Sequence, residues 1–326
     1  MKLKELWHRE DGSVIIVAAV AFILITIVCG IVIDVGAVYM KSSSSQNAAD
    51  AAAFAASTIL PAEVGNAAQI QQVKDVASAY AAKNGFDAGS IQGVELDDIF
   101  NGKYYGVRVR LTNEVPYSFG PIVGLNGTTV TKSAKVSLEP VTSSESVVPL
   151  GIESSKLSEA LSATEGTDLI IKYDGGGGSE GFYGALDLDG VQGGGAKDFE
   201  SWLAFGYDGI LRMGDNLPTE SGNMAGPTTD AFWTRYNQCT HYAGQGGCNE
   251  INFVVGCPRI VTIIVYTFID GNTVRVEGFV PFVLKGLNGN GEIVASKITV
   301  RTSEGETDGV LGGIGDYGIY RLKLVE

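Results

Sequence analysis

The chain has 326 residues, 44 of them glycine, and sets 37 Asp and Glu against 23 Lys and Arg, for a net charge of −14. That length accommodates two modest domains besides a membrane segment. The acidic balance, with no cluster of Lys or Arg, excludes nucleic acid as a partner, because phosphate binding needs grouped cations.

Residues 1–12 form a charge-balanced tail, with Lys2, Lys4 and Arg9 against Glu5, Glu10 and Asp11. From Ser13 to Ile33 run 21 residues without a charge or a proline. At 1.5 Å per residue such a helix covers about 30 Å, the thickness of the hydrocarbon core, so 13–33 read as a transmembrane helix. Polarity changes at Asp34, but nothing breaks the helix before Pro61, and the alanines between Gln46 and Ala56 favour it strongly. Residues 34–60 are therefore an Ala-rich helical extension, and the whole rod is on the order of 70 Å long. Its small side chains suit close packing against sister helices or the following domain. Lys2, Lys4 and Arg9 precede the span while Lys41 alone follows it closely, which predicts a cytoplasmic N-terminus and an extracytoplasmic body. A cleaved signal peptide is the rival reading, but the apolar run exceeds the usual h-region of about 7–15 residues. The small-residue pattern Ala53-Phe54-Ala55 lies too far beyond that run to be its cleavage site.

Gly12-Ser13, the apolar span, Ile33-Asp34-Val35-Gly36, Tyr39 and Gln46-Asn47-Ala48-Ala49-Asp50-Ala51-Ala52-Ala53 together resemble the N-terminal region of the TadE/TadG-like proteins of bacterial tight-adherence (Flp) pilus assembly. The resemblance implies a single-pass protein of the bacterial cell membrane. Its partners would be membrane lipid and other pilus-assembly or envelope proteins, met through the N-terminal helix and the C-terminal domain, with a homo-oligomer left open. Ser13, Ile33, Asp34, Gly36, Gln46, Asn47 and Asp50 would then serve anchoring and helix packing. Taken as residues, Asp34 and Asp50 read as solvated or capping. Gly12 stands where pilin-like relatives are cleaved, yet Val17 occupies the position at which those relatives carry Glu, which tells against cleavage.

Residues 61–139 read as a small α/β domain. A helical pattern runs from about Ala67 to Lys83 and stops at Asn84-Gly85. Strand patterns follow at Ile91–Leu96, Tyr104–Leu111 and Thr128–Leu138, with Asn101-Gly102 as a hairpin signal and Val115–Asn126 as a short apolar helix or turn. Pro140, Ser143 to Ser146 and Pro149 mark 140–160 as a linker.

Residues 161–326 are glycine-rich and turn-rich, the pattern of an antiparallel β-rich sandwich or barrel. Strands are expected at Leu169–Tyr173, Phe182–Leu188, Ile260–Ile269, Thr273–Leu284, Ile293–Val300 and Tyr317–Val325. Short helices are expected at Ala196–Phe205 and Asp230–Gln238, the latter capped by Thr228-Thr229. The fold class is thus α+β: a long N-terminal transmembrane helix with a small α/β domain, followed by the β-rich domain. Phe182 to Leu188, Gly214-Asp215, Glu220 to Asn223 and Cys257-Pro258-Arg259-Ile260 are similar to the C-terminal region of some TadE/TadG-like proteins, which supplies no activity to carry over.

Chemistry is sparse. Cys239, Cys248 and Cys257 are nine residues apart, with His241 beside the first. In an oxidising compartment a disulfide between two of the three is the first expectation. Unpaired thiols and a zinc site made with His241 stay open, although the close Cys-x-x-Cys pairs of strong zinc motifs are missing. A cysteine hydrolase is disfavoured, since Cys239 and His241 share one local segment instead of being aimed at each other from separate elements. Gly176, Gly178 and Gly181 match a phosphate-loop spacing but precede a strand pattern instead of a helix. Asp187, Asp189 and Asp198 lack the glycine and the bidentate Glu of a calcium loop. No cofactor is expected. The reading is a non-enzymatic membrane-anchored component of pilus assembly or surface attachment. Its alternatives are a processed minor pilin or tip adhesin, and a surface enzyme or ligand-binding module in the β-rich domain.

Overall fold

The computed structural model describes residues 11–157, 167–172, 183–190, 195–220, 225–303, 305–307 and 316–325. The tail before Asp11, the glycines 176, 178 and 181, Phe182, and Ser221 to Asn223 lie outside them. The chain forms two compact units, Met1–Asp97 with Gly106–Ser137 and Leu324–Glu326, and Asp98–Tyr105 with Leu138–Lys323.

The first unit is built on α1 (Asp11–Ser57), a single helix of 47 residues, about 70 Å long. No proline interrupts it, and alanine dominates its last third. Side chains from Val14 to Cys29 are exposed all round, as the Phe22 ring at 71 % illustrates. A helix apolar on every face and exposed on every face needs an apolar solvent, and α1 is long and apolar enough to cross a membrane. Burial begins at Gly30 and continues at Asp34, Ser45, Ala48, Ala49, Ala52, Ala53 and Ala56, a stripe at steps of three and four residues with part-buried Val38 and Lys41 in its path. Along it packs α2 (Ala67–Lys83), burying Val73, Ala77 and Ala81. Asn66 caps α2 by accepting from the Gln69 N–H at 3.2 Å, and Gly85 leaves it with a φ of +83°.

Three strands follow, β1 (Ile91–Phe100), β2 (Lys103–Pro116) and β3 (Gly127–Pro140). Asn101 and Gly102 both take positive φ, as a type I′ turn requires, and β1 pairs with β2. Strands β2 and β3 pair antiparallel from Gly106↔Ser137 to Pro116↔Gly127, burying Val107, Val109 and Leu111 on alternate positions. Between them the expected apolar turn is one 3₁₀ turn, Gly120–Val123.

The second unit centres on a seven-stranded sheet. Its strands are β4 (Val147–Glu153), β5 (Asp168–Lys172), β6 (Tyr183–Ala185), β7 (Asn216–Pro218), β8 (Ile260–Phe268), β9 (Thr273–Leu287) and β10 (Ile293–Lys297). The order is β5-β10-β9-β8-β4-β6, with β7 on β9. Strands β8 and β9 form the hairpin signalled by Asp270-Gly271, running from Ile260↔Val283 to Phe268↔Val274 around a bulge at Val265/Tyr266. Pairing is antiparallel except for β4 on β8, which is parallel. The segment 140–160 is accordingly not a linker over its length: β4 lies inside the sheet, with Val147 to Ile152 buried. The stretch Ile293–Val300 divides into β10 and β11 (Val300–Thr302), and β11 pairs parallel with β12 (Ile319–Leu324).

Alternation along β8 divides its side chains between two cores. Val261, Ile263 and Val265 join a cluster with Phe199 and Leu203 of α3 (Gly195–Phe205) and with Ala231 and Phe232 of α4 (Ala225–Asn237). Ile264 and Tyr266 join Leu186, Leu217, Val274 and Phe279 on the other face. Helix α4 begins before the expected cap at Thr228, because Pro227 falls in its first turn, where the missing N–H costs nothing; Thr228 is buried inside the helix. The unit is therefore a sheet buried on both faces, helical on one, and the whole fold is α+β.

Candidate functional site

Each unit sets polar groups against apolar surroundings. In the first, Asp34 is 7 % exposed and faces the turn after β2. Its carboxylate accepts from the Ser118 N–H at 2.7 Å, the Gly120 N–H at 2.7 Å, and the Phe119 N–H at 3.1 and 3.2 Å. Asp34 is thus a cap, but of a loop 84 residues away instead of its own helix. One helical turn earlier, Gly30 makes the close approach possible. A Cβ there would lie 2.8 Å from the Phe119 Cβ. The two elements enclose an apolar pocket of about 370 Å³ lined by Gly30, Val38, Phe119, Ile122 and Leu125. Outward from it, Ile122, Val123 and Leu125 are exposed, Ile122 by 78 %.

Farther along α1, Gln46 Nε2 donates to Asp50 Oδ1 at 2.8 Å and to the Ser133 carbonyl of β3 at 3.1 Å. Asn113 of β2 donates to the buried Ser45 hydroxyl at 3.4 Å. Lys41 lies over the Phe86 ring, 4.2 Å from its centroid. Of the positions singled out in the sequence, Asp34, Gln46 and Asp50 share this packed face. Ile33, Gly36 and Asn47 are exposed, nothing lies within 4 Å of a Cβ built on Gly36, and Ser13 falls in the first turn of α1. Gly30, Ser45 and the turn Ser118–Gly120 were missed. Only the four-residue step from Gly30 to Asp34 could have signalled them.

In the second unit the loop between α4 and β8 gathers Cys239, His241, Cys248 and Cys257, whose ligand atoms all lie within 4.8 Å of one another. No disulfide joins the three cysteines; each is a free thiol, with Cys248 and Cys257 buried. The three thiols lie together with His241 in a four-membered cluster. Burial raises the Cys239 thiol, but the Cys248 backbone N–H, the Cys257 thiol and His241 outweigh it and bring its pKa down to about 6. Burial, with the adjoining Cys239 and Cys248 sulfurs, pushes Cys257 up to about 12. His241 Nδ1 is buried and has no hydrogen-bond partner among the described residues. Two arginines pin the loop. Arg259 stacks its guanidinium 3.6 Å from the Tyr236 ring centroid and donates to the Tyr236 carbonyl at 3.2 Å and the Gly246 carbonyl at 2.6 Å. Arg235 donates to the carbonyls of Leu203 and Pro258.

Asp187 and Asp189 are neighbours, and Asp198 lies in the first turn of α3.

Residues 12–83 match the TadE/G-like Flp pilus-assembly family, Tad. The Tad-like segment thus comprises α1 from Gly12, the Asp34 position and all of α2. It ends before the strands that complete the first unit and before the cysteine cluster. The match supports involvement in Flp pilus assembly, and Tad is a pilus-assembly family, not an enzymatic one. Comparison with curated proteins and with solved structures gave no match.

Proposed function

We propose that the protein is a single-pass, membrane-anchored, non-enzymatic component of tight-adherence (Flp-type) pilus assembly or surface attachment, with its N-terminus in the cytoplasm and both units outside. The observation that carries this reading is the change of environment along α1. Val14 to Cys29 are exposed and apolar all round, and burial against the first unit starts at Gly30. Lipid covers the first stretch, and the body is seated on the second. The turn Phe119–Leu125, held beside the end of the span by Asp34, places Ile122, Val123 and Leu125 in the membrane interface as a second contact. Where the turn begins, the backbone N–H groups of Ser118, Phe119 and Gly120 are satisfied by the carboxylate, as non-helical backbone near hydrocarbon requires. The exposed positions of α1 after the span, Asn47 among them, and the outer surface of the β-rich unit are left for sister helices or envelope partners. Histidine-assisted nucleophilic catalysis is disfavoured by the histidine count: of two, His241 is held in the cysteine cluster and His8 precedes the span.

The test is alkaline carbonate extraction of native membranes, combined with protease treatment of intact cells and an intact mass of the extracted protein. Retention in the carbonate pellet, digestion of the β-rich unit from outside and an intact residue 1–12 segment support the anchor. Release by carbonate, or protection of the β-rich unit, refutes it. A new N-terminus at Ser13 would replace it with a processed filament subunit.

A further inference from the structure

We propose that Cys239, His241, Cys248 and Cys257 form a structural site for one thiophilic divalent ion, zinc, that closes the loop between α4 and β8. This loop runs from Gln238 to Arg259 with one 3₁₀ turn, Ala243–Gln245, as its regular structure. A stretch of that length without regular structure needs something to order it. Three thiols and an imidazole are the donor set of a Cys₃His zinc centre, the closed four-coordinate type with no position left for substrate. Their ligand atoms come within 4.8 Å of one another. In a tetrahedral site with Zn–S about 2.3 Å and Zn–N about 2.0 Å, ligand atoms are separated by roughly 3.5–3.8 Å, so an inward movement of about 1 Å completes the geometry.

A second, independent observation is His241 Nδ1, which is buried and has no hydrogen-bond partner among the described residues. A buried imidazole nitrogen with nothing to bond is costly, and a metal in the cluster removes the cost. The surroundings serve the same end. The Cys248 backbone N–H points at the Cys239 sulfur and the Arg259 backbone N–H at the Cys257 sulfur, contacts that orient thiolates and temper their charge. Turns fix the spacers. Asn249 Oδ1 accepts from the Ile251 N–H at 3.0 Å and the Asn252 N–H at 2.8 Å, while the Cys257 N–H bonds the Val254 carbonyl at 3.0 Å. On binding, each thiol loses its proton to water and donates a sulfur lone pair. No oxidant or reductant takes part, and in an oxidising compartment the ion protects the thiols from pairing.

The experiment uses the full chain in detergent, purified under reducing conditions and loaded with zinc, with metal content measured after removal of loose ions. About one equivalent of zinc is expected. Exchange to cobalt should give the visible bands of tetrahedral cobalt and a thiolate charge-transfer band. Alkylation should spare Cys239, Cys248 and Cys257 until a chelator is added, a readout that needs no variant. Cys239→Ser and His241→Ala, checked for folding by circular dichroism, should each lower retained zinc at least tenfold. The proposal is overturned by any of three results: zinc below about a tenth of an equivalent after loading, a disulfide among the three cysteines in a parallel sample isolated without reductant, or undiminished zinc in both folded variants.

Discussion

Replacing Asp34 by Ala removes the acceptor that holds the turn after β2 against α1. The carboxylate receives two hydrogen bonds of 2.7 Å, from Ser118 and Gly120, and a longer pair from Phe119. A net contribution of about 1.5–3 kcal/mol attaches to each hydrogen bond made to a charged group. The lower figure applies here, because Phe119 is 37 % exposed and water can reach part of the freed backbone. Counting only the two short bonds, Asp34→Ala should cost the turn about 3 kcal/mol of local stability. At one decade per 1.4 kcal/mol, that is roughly a hundredfold increase in opening. The assay is amide hydrogen exchange of the full chain in detergent, followed in a peptide covering Tyr117–Asn126. Protection of that peptide should fall by roughly two orders of magnitude while α2 exchanges as before. Asn47→Ala, on an exposed position of the same helix, is the control and should change nothing beyond about 0.5 kcal/mol. Unchanged protection in Asp34→Ala, with α1 still helical, would refute the seat.

Other sites yield sharper single readings. Gly30→Ala puts a methyl within 3 Å of the Phe119 side chain, and should loosen the same turn by about 1–3 kcal/mol without disturbing the β-rich unit. Phe232→Ala empties a fully buried ring position in α4, stacked on Tyr236 at 5.3 Å, and should lower the stability of the second unit by about 3–5 kcal/mol in denaturant titration. Burial and the adjoining Asp189 carboxyl push Asp187 up to about 6 from 3.8, so the folded state holds a proton that the unfolded chain has released. Stability should therefore fall as pH rises between those two values and level off above them. Asp187→Asn should flatten that part of the profile and be the more stable protein at pH 7, as read by thermal melts; parallel profiles would rule the assignment out.

Local chemistry made much of this fold legible. Asn66 and Asn84-Gly85 bound α2 where the pattern placed it, and Asp270-Gly271 turns β8 into β9. Strand β4 was hidden because Pro149 and the serines before it carry the signature of a linker. The register explains how a proline enters the sheet. Thr262 pairs with Val147 and Ile264 with Gly151, so one residue of β8 opposes three of β4 between them, and Pro149 falls in the irregular stretch where no ladder N–H is needed. The parallel direction of that pair was equally invisible, since alternation fixes which face a residue takes and not which way its neighbour runs. Equal spacings among Cys239, Cys248 and Cys257 fit a bridge, free thiols or a ligand set alike. What gathers them is the folding back of the whole loop, to which arginines in α4 and before β8 donate at the Pro258 and Gly246 carbonyls.

The most consequential difference between sequence and structure lies at the end of the span. Polarity changes between Ile33 and Asp34, which invites a division there into anchor and body. Packing changes earlier, at Gly30, so one helical turn belongs to both. A chain begun at Asp34 would lose the glycine against which Phe119 rests. It would also put Asp34 in the first turn of its helix, where free N–H groups compete for the same carboxylate. The loop would then lose the acceptor that satisfies its backbone, and the apolar pocket would lose one wall. The turn that ends the exposed apolar stretch is thus also the first turn of the folded unit, and a cut at the change of polarity severs a packed contact instead of a linker.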